Sequence, residues 1–148
     1  MGVLLDSLDI ITENLRENLS DDVDVSDHPG RFTDEELGKT IRKRKSVRVA
    51  IEDIPSLMVD GSGRKSAEVK YIVFVICSDT KGADRHKEAV NLIEELTGII
   101  TYQRWSKPEV FRAVEPGNIT VENLYSGEIS NGKGIAWWSI SWQQAIRN

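Results

Sequence analysis

Leu4, Leu8, Ile11, Leu15 and Leu19 recur at spacings of four, three, four and four, which puts them on one stripe of an amphipathic helix over residues 3–19. Asp6, Asp9, Glu13 and Glu17 lie off the stripe, three of them in the first three turns, at the end where the helix dipole favours negative charge. Asp22-Val-Asp-Val-Ser26 alternates and predicts a short edge strand. His28-Pro29-Gly30-Arg31-Phe32 then breaks the pattern. Thr33 is a good N-cap with Glu36 three residues later, so a short helix is predicted near 34–40, kept brief by Gly38. Val47, Val49 and Ile51 alternate with Ser46, Arg48 and Ala50 as a half-buried strand, which Pro55 ends or bulges. Gly61-Ser-Gly63 predicts a hairpin tip.

The run Tyr71-Ile-Val-Phe-Val-Ile-Cys77, entered from Lys70, is apolar on both faces. A strand needs that pattern when it is central in its sheet with layers over it. Residues 83–97 predict the second helix, with Ala89 or Val90, Ile93 and Leu96 as its stripe and Gly98 as its C′ residue. Phe111–Val114 and Ile119–Tyr125 predict weaker strands split by Pro116-Gly117, and Asn131-Gly132 predicts a turn. In the last strand Ala136, Trp138, Ile140 and Trp142 share one face, and Trp137, Ser139 and Ser141 share the other. Two main helices and about six strands with hairpin-length connections predict an α+β fold over one domain, residues 1–148. Its sheet is mixed and mainly antiparallel, with the helices packed on it.

At 148 residues the chain has the length of one ordinary domain. Such a domain buries roughly 68–70% of its unfolded surface and needs no covalent staple. With 39% hydrophobic and 29% charged residues, the chain is neither disordered nor membrane-embedded. Its one cysteine, Cys77, excludes an intramolecular disulfide framework and a Cys cluster for zinc. The formal charge of −5 is uneven. Residues 1–40 hold three basic and eleven acidic side chains; residues 41–148 hold sixteen basic and thirteen acidic. A protein that coats nucleic acid generally needs the opposite overall sign, so no such partner is expected. An acidic end beside a more basic body suits head-to-tail contacts between copies. No stretch approaches the ~18 apolar residues of a spanning helix. The N-terminus lacks the basic region and apolar run of a signal peptide, and Asp6 stands where N-myristoylation requires Ser or Thr. The expectation is a cytoplasmic protein without a membrane partner.

Candidate chemistry is sparse. Gly61-Ser-Gly-Arg-Lys-Ser66 lacks the Gly before Lys-Ser that a phosphate loop needs, and it joins two strands. Glu68-Val69-Lys70 matches the Glu-x-Lys of metal-dependent nucleases, with Asp53 or Asp60 to supply a further carboxylate. The alternative is a solvated start to a strand that becomes buried at Tyr71. His28 and His86 have no third ligand in sight, and Cys77 reads as a small buried hydrophobe. No catalytic, metal or cofactor-binding residue is therefore assigned. Arg42, Lys43, Arg44 and Lys45 form a basic run suited to an acidic contact, in protein or nucleic acid. Trp137 and Trp138 point to opposite faces, which frees one of them for an interface.

The order of these features resembles the small tail protein of Mu-like phages and prophages, encoded near the tail sheath and tube genes. The resemblance covers almost the whole chain: an amphipathic helix, a short strand, His28-Pro-Gly-Arg-Phe32 with Thr33-Asp-Glu-Glu-Leu37, then Ser46-Val-Arg-Val-Ala-Ile51. A long apolar strand, a helix ending Leu96-Thr-Gly98 and a Trp-rich strand complete it. That family resembles the tail terminators of long-tailed phages. The resemblance implies an α+β subunit that forms a hexameric ring on the last tube ring, stops tail polymerisation and offers a surface to the head connector, with the sheath a further possible partner. It also implies assembly in the host cytoplasm and a place in the virion tail, with no catalytic residues and no cofactor. The basic run at 42–45 is heavier than the family pattern, which leaves nucleic-acid contact open. The Arg64-Lys65 hairpin, Arg42–Lys45 and Trp137 are the expected contact residues with ring neighbours or tail partners.

Overall fold

The computed structural model describes residues 2–28, 45–78, 85–124 and 135–148. Helix α1 (Val3–Asn18) forms where the leucine stripe predicted it, and Leu8, Ile11 and Leu15 are buried. Strand β1 (Val23–Asp27) runs parallel to β2 (Lys45–Val59). β2 pairs antiparallel with β3 (Lys65–Ser78), β3 with β5 (Ile135–Arg147), and β5 with β4 (Thr120–Asn123). The strand order β1-β2-β3-β5-β4 puts the doubly apolar run of β3 at the centre. Val73, Val75 and Cys77 face the helices; Ile76 on the second face is equally buried, and Phe74 nearly so. The second helix, α2 (Arg85–Ile100), packs on β3 and β5 beside α1, so both helices cover the same face. The architecture is α+β: two helices on a mixed five-stranded sheet, among the described residues.

Two expectations change, and the alternative left open at Pro55 is decided. The strands number five, because Phe111–Val114 is irregular and Phe111 makes only an isolated bridge to Ile146. Phe111 and Val114 are both buried but lie three residues apart, a spacing that a strand of period two cannot put on one face. Helix α2 does not stop before Gly98. The buried series is Ala89, Leu92, Leu96 and Ile100, and it carries the helix through the glycine. Val90 is exposed and Ile93 only half-buried. Pro55 bulges β2 rather than ending it: the register slips between Ile51 and Asp53 and again between Asp53 and Ser56. Since β1 pairs only with Lys45–Val49, β2 from Glu52 onward is an edge among the described residues, where the missing Pro N–H is tolerated. The helix expected at 34–40 and the Asn131-Gly132 turn lie outside the described residues.

One buried polar pair fastens α1 to the sheet. The Ser7 hydroxyl donates to the Leu4 carbonyl at 2.7 Å and lies 2.7 Å from the Tyr71 hydroxyl. A serine hydroxyl has a single proton, so Tyr71 is the donor to Ser7, and only the neutral phenol can make that bond. Burial pushes the Tyr71 hydroxyl up to about 12.

Two predictions follow from this packing. Gly98 sits inside α2, exposed, with nothing within 4 Å of an added Cβ. Gly98→Ala should therefore stabilise the protein by about 0.5–1 kcal/mol, read as an upward shift in Tm; a lower Tm contradicts the helix boundary. Tyr71 loses its proton near the ordinary tyrosine value of 10.0 when unfolded and near 12 when folded. Its contribution is thus full below pH 10 and is lost as pH rises to 12. Tyr71→Phe should cost about 1 kcal/mol at neutral pH and flatten the fall in stability across that alkaline window, measured by denaturant titration.

Candidate interaction surfaces

The irregular stretch from Thr101 to Ile119 carries side chains that line two adjoining clefts, and one residue of β5 fixes it. Gln144 is buried among Trp105, Trp142 and backbone. Its Oε1 accepts from Trp105 Nε1 at 3.0 Å and Trp142 Nε1 at 3.1 Å. Its Nε2 donates to the carbonyls of Gln103 at 3.0 Å and Arg112 at 2.6 Å. Every hydrogen-bonding site of the carboxamide is used. The two indoles pack with centroids 5.9 Å apart. Trp105 holds this position at φ 54, a left-handed conformation that is rare for a bulky side chain. Tyr102 (φ 61) and Ser106 (φ 60) share it, so the chain reverses sharply after α2 without glycine.

That reversal brings together cations far apart in sequence. Arg112 N donates to Ala145 O at 3.0 Å, and Arg147 N to Val110 O at 2.9 Å. Arg104, Arg112 and Arg147 consequently line one cleft of 390 Å³ with Ser66 and Glu68. Ser66, Glu68 and Arg147 alternate with the buried Ala67, Val69 and Ile146, so they point to the sheet face opposite the helices. Glu68 Oε2 accepts from Gln143 Nε2 at 3.3 Å. A second cleft of 620 Å³ shares Ser66, Val110 and Arg147 with the first and adds Met58, Val59, Arg64 and Lys65. No ion pair engages Arg64, Arg104 or Arg112 among the described residues.

The β2–β3 hairpin forms one wall. At its tip Asp60 Oδ1 accepts from Ser62 N at 2.8 Å, the Ser62 hydroxyl at 2.7 Å and Arg64 N at 3.0 Å. The Ser62 hydroxyl foremost, then those amides, hold the Asp60 carboxyl below the usual carboxylate range. Leu57, Met58 and Val59 lead into the tip and are 52%, 65% and 59% exposed.

Acidic groups divide into two sets. Asp22, just before β1, and Asp24 within it are answered within the chain: Lys45 Nζ lies 3.2 Å from Asp22 Oδ2, and Arg48 Nη2 lies 2.7 Å from Asp24 Oδ2. Hydrogen bonds from the Ser20 hydroxyl and from Lys45 keep the Asp22 carboxyl low. Arg48 Nη1 also donates to Asp24 O at 2.7 Å, which ties the parallel edge strand to β2. On α1, Asp6, Asp9, Glu13 and Glu17 lie on the side opposite the buried stripe, and all are exposed. Glu13 pairs with Arg16; Asp6, Asp9 and Glu17 have no ion pair among the described residues.

Of the residues singled out from sequence, Arg42, Lys43 and Arg44 lie outside the described residues. Lys45 opens β2 and faces Asp22. Arg64 and Lys65 reach the cleft beside Arg147, with Lys65 N donating to Asn148 Oδ1 at 2.6 Å. Trp137 is half-buried on the second sheet face, its ring 6.5 Å from Phe74, while Trp138 packs toward the helices. The nuclease candidates are scattered. Lys70 Nζ is 3.8 Å from Glu52 rather than committed to Asp53, which stands opposite it in register, and Asp60 is held in the turn. No group of three His, Cys, Asp or Glu suited to a metal occurs among the described residues. His28 packs edge-on to Phe74 at 6.5 Å, His86 is exposed at the start of α2, and Cys77 is buried. No described helix is long and apolar enough to cross a membrane. Sequence reasoning missed Arg104, Arg112, Arg147 and Gln144. None stands in a run or repeat, and only the long-range bonding of residues 103–112 to β5 makes neighbours of them.

The carboxamide supplies a sharp test of this arrangement. Gln144→Leu keeps the size but strips partners from two indole N–H groups and two carbonyls. An unsatisfied buried group costs about 1–3 kcal/mol, so a loss of about 3 kcal/mol or more is expected in urea unfolding. A loss below about 1 kcal/mol would show that the stretch holds without the hub.

No protein-family model matches the chain, and a search of curated proteins finds no match.

Proposed function

We propose that this chain is a structural subunit of a phage or prophage tail. In this reading it is a terminator or completion protein that forms a ring of six at the end of the tube and stops polymerisation. It assembles in the host cytoplasm, ends in the virion tail, and acts by binding alone, with no catalytic step and no cofactor. The resemblance in the order of elements supplies the tail assignment and the number six, since a terminator matches the symmetry of the tube it caps.

The observation that carries a binding role is the hairpin arm. Four of the eight exposed large hydrophobics among the described residues are Ile54, Leu57, Met58 and Val59, all on β2 beyond its pairing with β1. Clustered exposed apolar side chains mark contact surfaces. Pro55 and the two register slips spoil the backbone of this edge for further strand pairing, which leaves its side chains to make the contact. The arm is thus suited to lie against a tube, sheath or connector protein.

The test uses the intact phage or prophage. Replacing Leu57, Met58 and Val59 together with Ser should leave Tm within a few degrees, because all three are exposed. It should also impair tail completion, seen by electron microscopy as tails of irregular length. Tails of normal length lacking this protein at their terminal ring would defeat the reading.

A further inference from the structure

We infer that copies of this chain bind one another through a heterologous contact, in which the acidic face of α1 on one copy seats against the cationic cleft of Arg104, Arg112 and Arg147 on the next. The inference rests on the ring reading above and names its contact.

Three observations carry it. The first is charge complementarity. Asp6, Asp9, Glu13 and Glu17 run along one side of α1 over about 16 Å, at 1.5 Å per residue. The cleft gathers three arginines on a short segment and a strand end, with Lys65 and Arg64 in the cleft that continues it. Asp22 and Asp24 are already matched to Lys45 and Arg48, whereas Asp9, Glu17, Arg104 and Arg112 have no ion pair among the described residues. Lys45 and Arg48 thus go to Asp22 and Asp24, Arg16 goes to Glu13, and Asp9, Glu17, Arg104 and Arg112 are left for a partner.

The second observation is placement. α1 covers one face of the sheet, and Ser66, Glu68 and Arg147 line the cleft from the other. The acids lie on the outer side of α1 and the cations in the cleft, and the segment from Trp105 to Val110 borders both. A contact joining these two unlike surfaces repeats from copy to copy and closes only when its rotation divides the circle, which is what a ring requires. Asp6 borders a small cleft shared with the cation Lys107, and Asp9, Glu13 and Glu17 border another with Trp105 and Ser106; Glu13 pairs with Arg16, so Asp9 and Glu17 are the acids with no cation at hand among the described residues.

The third is the apolar margin. Solvated ion pairs set register and encounter rate more than affinity, so a contact made only of charge would be weak. Leu5 is exposed on α1, and Met58 and Val59 line the adjoining cleft. These side chains give the contact surface to bury beside its charges. The overall charge of −5 disfavours a polyanion in this cleft and favours an acidic helix of limited length.

A charge-exchange experiment tests the contact on the full chain. One variant carries Asp9→Lys and Glu17→Lys; the other carries Arg104→Glu and Arg112→Glu. None of these four side chains makes a hydrogen bond within the described residues, so both variants should melt near the parent temperature. The parent should self-associate in sedimentation at low salt and dissociate as salt rises. Each variant alone should associate at least ~10-fold more weakly, because like charges then face each other. The equimolar mixture should recover association, since an alternating array satisfies every contact.

A parent that stays monomeric at about 1 mM in low salt overturns the inference, as does a mixture of folded variants that fails to recover. Should either double variant not fold, Asp9→Asn and Arg112→Gln replace it, each expected to weaken association. If the cleft variant loses salt-sensitive binding to duplex DNA while self-association is untouched, the cleft takes nucleic acid and the inference fails. Self-association that ignores every substitution keeps the tail reading and discards this contact. Charge exchange that works in a protein absent from tails keeps the contact and discards the tail reading.

Discussion

Four hydrogen bonds meet at the Gln144 carboxamide, and the irregular stretch from Thr101 to Ile119 depends on them. Two indole N–H groups and two main-chain carbonyls would otherwise be buried without partners, a cost comparable to much of a domain's stability. With the bonds made, Trp105 is held in a left-handed conformation that its own preferences oppose, and residues 103 and 112 are pinned to β5. The Arg104–Arg112–Arg147 cleft is a by-product of that anchoring. A buried polar hub that is fully satisfied thus does for this stretch what a regular helix or strand does elsewhere.

The helix layer is fixed in a similar way, by one polar contact within an apolar seam. Leu8, Ile11 and Leu15 supply burial but little direction, because a leucine stripe can slide. The Tyr71–Ser7–Leu4 chain of hydrogen bonds sets where α1 stops along the sheet. Its outward acids are then presented to solvent beside the 105–110 segment, which also borders the cationic cleft. Burial of one side of α1 and exposure of the other are two results of the same docking.

Charge follows a division of labour that composition conceals. The excess of acid in residues 1–40 looks uniform in the sequence. In the fold, β1 lies parallel and next to β2, so Asp22 meets Lys45 and Asp24 meets Arg48. These pairs hold an edge strand that has no hairpin to hold it. On α1 only Glu13 finds a cation, Arg16, among the described residues, and surplus charge collects there.

The sequence by itself determined the elements whose pattern repeats. Period 3.6 in Leu4 to Leu19 gave α1, an unbroken apolar run gave the central position of β3, alternation gave β5, and Gly61-Ser-Gly63 gave the hairpin. Each is a local signal, because a helix or strand face is written at short spacing. The end of α2 was misread because Gly98 is a local stop signal, while Ile100 needed the core to keep the helix going. Phe111 and Val114 were misread because apolar residues in an irregular segment look like a strand until their partners are known. What only the tertiary structure decided is everything set by long-range pairing: the hub on Gln144, the pairing of the β1 acids, the meeting of three arginines spread over forty-odd positions. A single sequence shows which residues are near in the chain, and these contacts depend on which are near in space.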